Sequence, residues 1–285
     1  MSELHLDIYV TPMRPVRGAP PQGPGDDPMW SPTSSTLIHG ENDAILVDTP
    51  VTFDQVDAVA DWVQSFGKHL TAIYITHGHS DHWIGLRRML EHYPDARTLA
   101  TAKVRERAVY EATDPGVSAY WHATFPGEIP AEPVIPDQYD DPVIELEGQL
   151  LEVISIGQAD TEHSTILHIP SADAVVGGDL VYNQVHMMTV ETDEKRREDW
   201  IANLSQLAAL EPRIVVSGHK RPGAPDDPRT IGQSQQYLRD FSRVAAREET
   251  VEGIVSAMLA LHPDRDNPYV VWLCARAAVA QRQRS

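Results

Sequence analysis

The feature that most constrains this chain is the stretch His77-Gly78-His79-Ser80-Asp81-His82, which places three imidazoles and a carboxylate within six residues. The preceding segment 70–76 is apolar, β-branched and aromatic, which indicates a buried strand, whereas segment 83–90 has apolar residues at helical spacing. The stretch therefore forms a tight turn at the carboxyl end of a strand, where open α/β sheets bind ligands. Because imidazole and carboxylate are ligands of zinc and similar divalent ions, the turn is predicted to bind metal.

The His-x-His-x-Asp-His pattern after a strand resembles the metal-binding turn of the metallo-β-lactamase-fold superfamily. That resemblance requires further ligands in order along the chain, each at a strand end, and three such residues follow. It implies one metal held by three histidines, a second held by an aspartate and two histidines, and one bridging aspartate. In this sequence the first metal would be held by His77, His79 and His163. The second would be held by Asp81, His82 and His219, and Asp179 would be the bridging aspartate.

The same resemblance implies an α/β fold, a four-layer αββα sandwich, for most of the chain. We expect a catalytic domain over residues 1–225 that carries an inserted loop at 114–142. Residues 226–285 show helical periodicity but are not part of the minimal metal-binding fold. This C-terminal helical segment is expected to cap the pocket, to form a homodimer interface, or both.

The implied chemistry is that of a metal-dependent hydrolase. Two metals can share a bridging hydroxide, since metal binding lowers the pKa of water from about 16 towards 7. That hydroxide would attack an ester, lactone, thioester or amide carbonyl. Two Zn²⁺ ions per chain are expected, although nitrogen and oxygen ligands also accept manganese or iron. Two alternatives remain open: an iron-dependent oxidoreductase resembling the persulfide dioxygenases, and a phosphodiesterase.

Further candidate residues lie close to these ligands in the sequence. Asp48 ends a strand, and the resemblance implies that it orients the metal-binding turn. Tyr182 follows Asp179 by three residues, a spacing found in lactonases of the superfamily, where the phenol contacts the substrate carbonyl. Such a phenol could stabilise an oxyanion or protonate a leaving group, and His186 could do the latter. Asp81, Tyr182 and His186 are therefore the candidate catalytic residues.

Two segments rich in proline and glycine, 11–32 and 114–142, lack helical or strand periodicity and are predicted to be long loops. Loops of this length are usually functional or disordered. Their aromatic and apolar side chains would either line a substrate pocket or anchor the loops to the core. The residues in question are Met29, Trp30, Tyr120, Trp121 and Phe125.

Charge and composition narrow the class of partner. The formal net charge of -19 opposes nucleic-acid binding and disfavours a highly anionic substrate, so we expect a small, largely uncharged one. No apolar run is long enough to span a bilayer, and the first residues lack a signal-peptide pattern. The only cysteine, Cys274, cannot form an intramolecular disulfide. We therefore expect a cytoplasmic protein without a membrane partner.

Overall fold

The computed structural model describes residues 3–18 and 28–283. Over these residues the chain forms fifteen strands and eight α-helices. The strands are β1 (His5–Val10), β2 (Arg14–Pro15), β3 (Met29–Trp30), β4 (Ser34–His39), β5 (Asp43–Val47), β6 (His69–Tyr74), β7 (Arg97–Ala100), β8 (Asp137–Gln138), β9 (Val143–Leu146), β10 (Gln149–Gly157), β11 (Ser164–Ile169), β12 (Ala174–Val176), β13 (Tyr182–Asn183), β14 (Ile214–Val216) and β15 (His219–Lys220). The helices are α1 (Phe53–Ser65), α2 (Leu86–His92), α3 (Ala102–Thr113), α4 (Pro115–Thr124), α5 (Glu194–Ala208), α6 (Arg229–Arg247), α7 (Val251–Leu261) and α8 (Pro268–Arg282).

Two mixed sheets form the centre of the molecule. The first has the order β1-β4-β5-β6-β7-β8, antiparallel from β1 to β5 and parallel from β5 to β8. The second has the order β14-β12-β11-β10-β9, and β12 and β14 are its parallel pair. One apolar core lies between the two sheets, and a further core lies between each sheet and its helices. The predicted αββα sandwich is therefore confirmed.

The central strands of the first sheet are apolar on both faces because each face covers a different core. Along β5, Leu46 points to helices α1–α3, whereas Ile45 and Val47 point to the core between the sheets. In β6 the same alternation separates Ile73 from Tyr74. A strand buried on both faces reads as a continuous apolar run, which is the pattern that segment 70–76 shows.

The carboxyl ends of strands from both sheets meet at one edge of the sandwich. Thr165, on β11, ties the sheets together there: its backbone N–H and hydroxyl both donate to the carbonyl of Thr76, at 2.9 and 2.6 Å. The phenol of Tyr74 lies 2.7 Å from the same hydroxyl. This junction brings the turn after β6 against the turns that follow β10, β12 and β14.

The C-terminal helices α6–α8 pack on the second sheet rather than standing apart from it. Their apolar faces share one core with Trp200 and Leu204 of α5 and with strands β10–β12 and β14. A boundary between residues 225 and 226 stays a prediction. In the described part of the chain, none of the helices is both long and apolar enough to cross a membrane.

Both segments that were predicted to be irregular contain regular structure. Residues 115–124 form α4, because Asp114 accepts hydrogen bonds from the N–H groups of Gly116 and Val117 and Pro115 occupies the first helical turn. The expectation of a structureless insertion was therefore wrong. In the earlier segment β2 pairs with β3, and its residues 19–27 lie outside the described residues.

Candidate metal centre

The turn after β6 is held rigidly from two sides. The indole N–H of Trp83 donates to the carbonyl of Gly78 at 2.9 Å, and Glu111 on α3 accepts from the backbone N–H and hydroxyl of Ser80 at 2.7 and 2.6 Å. Position 78 has no room for a side chain, since an added Cβ would lie 2.3 Å from Cγ of Arg107. The glycine therefore allows α3 to pack directly on the turn.

Two of the histidines around this turn have their Nδ1 atoms bound to the surrounding structure. Nδ1 of His82 lies 3.0 Å from Oδ2 of Asp48, whose Oδ1 also accepts the N–H of Thr76 at 2.8 Å. Nδ1 of His219 lies 2.7 Å from the carbonyl of Pro32. Such outer contacts fix the ring orientation and direct Nε2 inward. Asp48 thus contacts the metal-binding turn, as the resemblance implied.

The other two histidines are also held by neighbouring side chains. Nδ1 of His77 lies 3.0 Å from the hydroxyl of Thr76, which leaves its Nε2 pointing inward. His79 has the opposite orientation: Nε2 lies 3.4 Å from Glu191, and Nδ1 faces Asp160 at 2.7 Å. Each of the four rings therefore presents one nitrogen to a common interior.

The inward-facing atoms converge on the carboxylate of Asp179. Nε2 of His82 lies 3.3 Å from its Oδ1, and Nε2 of His219 lies 3.2 Å from its Oδ2. The same His219 nitrogen is 3.3 Å from Asp81. Four groups of side chains among the described residues have ligand atoms that all lie within 4.8 Å of one another, and two of these groups lie on either side of Asp179. We call these two the first ligand set, His77, His79 and Asp160, and the second ligand set, Asp81, His82 and His219.

The structure places Asp160, not His163, in the first ligand set. Asp160 is buried, whereas His163 is exposed and lies beside a shallow surface groove. Both residues belong to the short connection between β10 and β11. His163 has a left-handed φ of 64° immediately before β11, and the connection turns its side chain away from the cluster. The structure therefore brings Asp160 to the cluster and leaves His163, the predicted ligand, outside both ligand sets. The resemblance implies an imidazole in this connection, so it gave no signal for Asp160.

The buried cluster fits divalent cations. Nε2 of His77, Oδ1 of Asp160 and Oδ1 of Asp179 are buried without a hydrogen-bond partner among the described residues. Burial lowers the pKa of His77, and burial together with the charge of Asp179 raises the pKa of Asp160 to about 6. These atoms face one another, and packing several buried carboxylates together is unfavourable without positive charge. Two divalent ions would satisfy all of these unpartnered atoms at once.

Tyr182 and His186 occupy positions other than those predicted. The phenol of Tyr182 is buried and donates to Oδ2 of Asp179 at 2.5 Å. His186 is buried among the C-terminal helices, with Nδ1 3.1 Å from the hydroxyl of Tyr237. Neither residue lines the cavity at the cluster. The structure thus places the phenol of Tyr182 against the shared aspartate and His186 in the core, and the catalytic role of each stays a prediction.

A cavity of about 460 Å³ opens onto the cluster. Trp30 lies at its base, where the indole N–H donates to Oδ2 of Asp81 at 3.2 Å. Trp121 packs edge-on against Trp30 with ring centroids 5.0 Å apart, and Tyr120 lies beside it. Phe125 is buried behind Trp121 and does not line the cavity. The aromatic residues therefore divide between lining the pocket and anchoring α4.

The opposite wall of the cavity carries charged side chains that the sequence analysis did not single out. They are Arg107, Glu111, Asp114 and Glu191. Arg107 and Glu111 are one helical turn apart on α3, a spacing that pairs opposite charges and could have identified them. Met29 precedes Trp30 on β3 but is not among the lining residues, and neither are Lys220 and Arg221, which pair with Asp226 and Asp266.

Solved structures of other proteins align with this chain over most of its length. The chain aligns with a metallo-beta-lactamase family protein from Thermus thermophilus at 17% identity, with a TM-score of 0.61 and coverage of 97% of this chain and 93% of that one. A metallo-beta-lactamase from Pontibacter korlensis aligns at 16% identity and a TM-score of 0.59, covering 83% and 99%.

Sequence comparison gives a shorter curated match and a longer family match. A hydroxyacylglutathione hydrolase of Francisella philomiragia is 41% identical over 66 residues, which is 23% of this chain and 25% of that protein. The chain thus spans only a quarter of the length of this relative. The sequence model of the metallo-beta-lactamase superfamily matches residues 28–219, a span that contains both ligand sets and Asp179. On that match, the chain belongs to the metallo-beta-lactamase superfamily.

Proposed function

We propose that this protein is a dinuclear metal-dependent hydrolase that cleaves an ester, lactone, thioester or amide bond of a small, largely uncharged molecule. The observation that carries the proposal is the convergence of two ligand sets on Asp179, with an inward-facing nitrogen on each of the four histidines. The first set would hold one divalent ion, the second set another, and Asp179 lies between them.

Bound zinc or manganese would polarise the carbonyl under attack and make water a nucleophile near neutral pH. The side chains around the cluster hold its ligands in place for that chemistry. Asp48 fixes the ring of His82, and the phenol of Tyr182 fixes Asp179. Because these groups are buried and already oriented, the ligands need little rearrangement before metals bind.

Trp30 has two functions in this arrangement. Its indole N–H orients Asp81, and its ring forms the part of the cavity closest to the second ligand set. A substrate carbonyl at the cluster would lie against this ring, with water largely excluded by Trp121 and Leu273. Exclusion of water strengthens the electrostatic interactions on which such a reaction depends.

The family and the short curated match support hydrolysis over the two alternatives. The relative named hydroxyacylglutathione hydrolase acts, by its name, on an acyl derivative, although the matched region is a quarter of that protein. A one-iron oxidoreductase would leave the second ligand set without a function. A phosphodiester would bring its negative charge beside the carboxylates of Glu111, Asp114 and Glu191, and the only arginine or lysine among the described lining residues is already paired with carboxylates.

The experiment that tests the proposal combines metal analysis with a substrate panel. We expect about two zinc or manganese ions per chain and hydrolysis of at least one ester, lactone, thioester or amide. Chelation should abolish this hydrolysis, and either ion should restore it. Asp179→Asn should lower both metal content and turnover, whereas Asp173→Asn, at an exposed turn, should change neither. One iron per chain, with oxygen consumed during thiol or persulfide oxidation, would exclude the hydrolase.

A further inference from the structure

We propose that the substrate carries an aromatic or branched alkyl group, that the rest of the molecule is neutral or positively charged, and that substrates bearing a carboxylate are rejected. This inference rests on the proposed hydrolase function and assigns the substrate class of the same cavity. Two walls of the cavity, one apolar and one charged, carry it.

The apolar wall is assembled from separate parts of the chain. Trp30 comes from β3, Val117 and Trp121 from α4, and Leu273 from α8, while Met188 lies on the loop before α5. Trp30 and Trp121 meet edge to face, an arrangement that leaves ring surface open to a further ring. Since Trp30 also contacts Asp81, the apolar group must lie next to the reacting carbonyl rather than at a distant part of the substrate.

Arg107, the only arginine or lysine that lines the cavity in the described part of the chain, has no hydrogen-bond donor left for a ligand. The guanidinium of Arg107 donates through Nε and Nη2 to Oε1 of Glu111, through Nη1 to Thr161 and Oε2 of Glu191, and through Nη2 to Oε1 of Glu191. A guanidinium has five N–H groups, and these contacts use all of them. A substrate carboxylate would therefore find no donor on Arg107 without breaking an existing ion pair.

The charged wall also carries more negative than positive charge. Glu111, Asp114 and Glu191 supply three carboxylates against one guanidinium. Asp114 accepts only the N–H groups of Gly116 and Val117, so its charge has no cationic partner among the described residues. Two divalent ions together with the three aspartates of the cluster would carry one net positive charge. The wall carries two net negative charges and therefore outweighs it. An anionic group beside this wall is therefore repelled, and an ammonium group is attracted.

The test is a matched series of phenyl esters of phenylacetic acid that differ only at the para position of the acyl ring: unsubstituted, carboxylate and aminomethyl. We expect kcat/KM of the carboxylate ester to be about 30-fold below that of the unsubstituted ester, the effect of one unit charge at about 8 Å with an effective dielectric of about 20. The aminomethyl ester should be hydrolysed at least as well as the unsubstituted one. Equal kcat/KM for all three esters would overturn the inference.

Two variants assign the discrimination to the proposed walls. Asp114→Asn keeps a good helix cap but removes one negative charge, so the ratio of unsubstituted to carboxylate ester should fall from about 30 towards 1. Asp199→Asn, on the exposed face of α5, should leave the ratio unchanged. Trp121→Leu should lower kcat/KM for the unsubstituted phenylacetate ester more than for phenyl acetate, an added control substrate that lacks the acyl ring. A ratio that Asp114→Asn does not move would contradict the assignment to this wall.

Binding separates failure of the inference from failure of the proposed function. The N-methyl amides of the same three acids can be titrated against the metal-loaded protein while the tryptophan fluorescence, to which Trp30 and Trp121 contribute, is followed. Weak binding of the carboxylate amide beside tight binding of the other two would support the charge rule even if none of the esters is hydrolysed. Equal binding of all three amides would refute it, whatever the turnover of the esters.

Discussion

Replacing Asp160 with alanine is expected to remove one of the two metal ions and leave the other in place. Asp160 is the one carboxylate that belongs to the first ligand set alone, and its Oδ2 lies 2.7 Å from His79. Without Asp160, the first ion would be held only by His77, His79 and the shared carboxylate of Asp179. Because loss of an outer-shell partner alone lowers metal affinity about 10–100-fold, loss of this ligand should lower it by more than about 100-fold.

The assay is metal content after equilibrium dialysis against buffered zinc, and the matched control is His163→Ala. The two residues are three positions apart in one connection, but only Asp160 is buried at the cluster. Wild type and His163→Ala should each retain about two ions per chain, and Asp160→Ala about one. Circular dichroism and thermal melting of the metal-free proteins would show that both variants fold.

The opposite result would refute the assigned ligands. If His163→Ala lost an ion while Asp160→Ala kept two, the β10–β11 connection would bind metal through the residue that the sequence pattern favoured. A third variant, Asp160→His, separates ligand geometry from ligand chemistry. It should keep two ions but favour zinc over manganese more strongly than wild type does, since an imidazole is a softer donor than a carboxylate.

Three further predictions concern the buried groups around the cluster. Asp48→Asn should weaken metal binding about 10–100-fold in a chelator competition, because Nδ1 of His82 would lose its carboxylate. Burial and the charge of Asp179 raise the pKa of Tyr182, so the phenol stays protonated. Tyr182→Phe should therefore leave the alkaline limb of the kcat–pH profile unchanged, and loss of that limb would contradict this. Burial lowers the pKa of His186 to about 3, so its neutral form stabilises the fold fully above about pH 6.5, and this contribution is lost as the pH falls towards 3. The free energy of unfolding in urea should therefore be compared for wild type and His186→Gln at pH 7 and pH 4.5. Between these two pH values the difference should shift by about 2 kcal/mol in favour of the variant, and a constant difference would contradict this.

The strand and helix that flank the metal-binding turn could be predicted from periodicity, whereas the four-layer fold and the full ligand set were implied by the family resemblance. An apolar, β-branched run identified β6, and helical spacing identified α2 and α6 to α8. Ligands that follow strands must meet at one sheet edge when those strands are parallel or packed face to face. The side chains of Asp81, His82, Asp179 and His219, which each follow a strand in the sequence, do lie close together in the structure.

Side-chain direction inside an irregular connection could not be predicted in this way. Asp160 and His163 lie in the same short connection, yet Asp160 is buried at the cluster, whereas His163 has a left-handed backbone conformation and is exposed. Composition also misled at α4, where Pro115 and Gly116 indicate a loop unless the capping carboxylate of Asp114 is recognised. The contact of Glu191 with His79 joins residues far apart in the sequence, and no local pattern reports it.

The presence of Asp160 in the first ligand set changes the chemistry expected of the centre. With Asp160 in place of an imidazole, both ligand sets consist of two imidazoles and one carboxylate and share Asp179. The two ions would therefore have similar donors, and the centre would carry one positive charge fewer than the sequence pattern implied. A centre of lower positive charge attracts an anionic substrate less strongly, so the acidic wall around Arg107 can determine which molecules enter. The selectivity proposed for the cavity and the identity of the first ligand set thus depend on the same residue. Asp160→His, which restores that positive charge, should accordingly reduce the discrimination against the carboxylate ester.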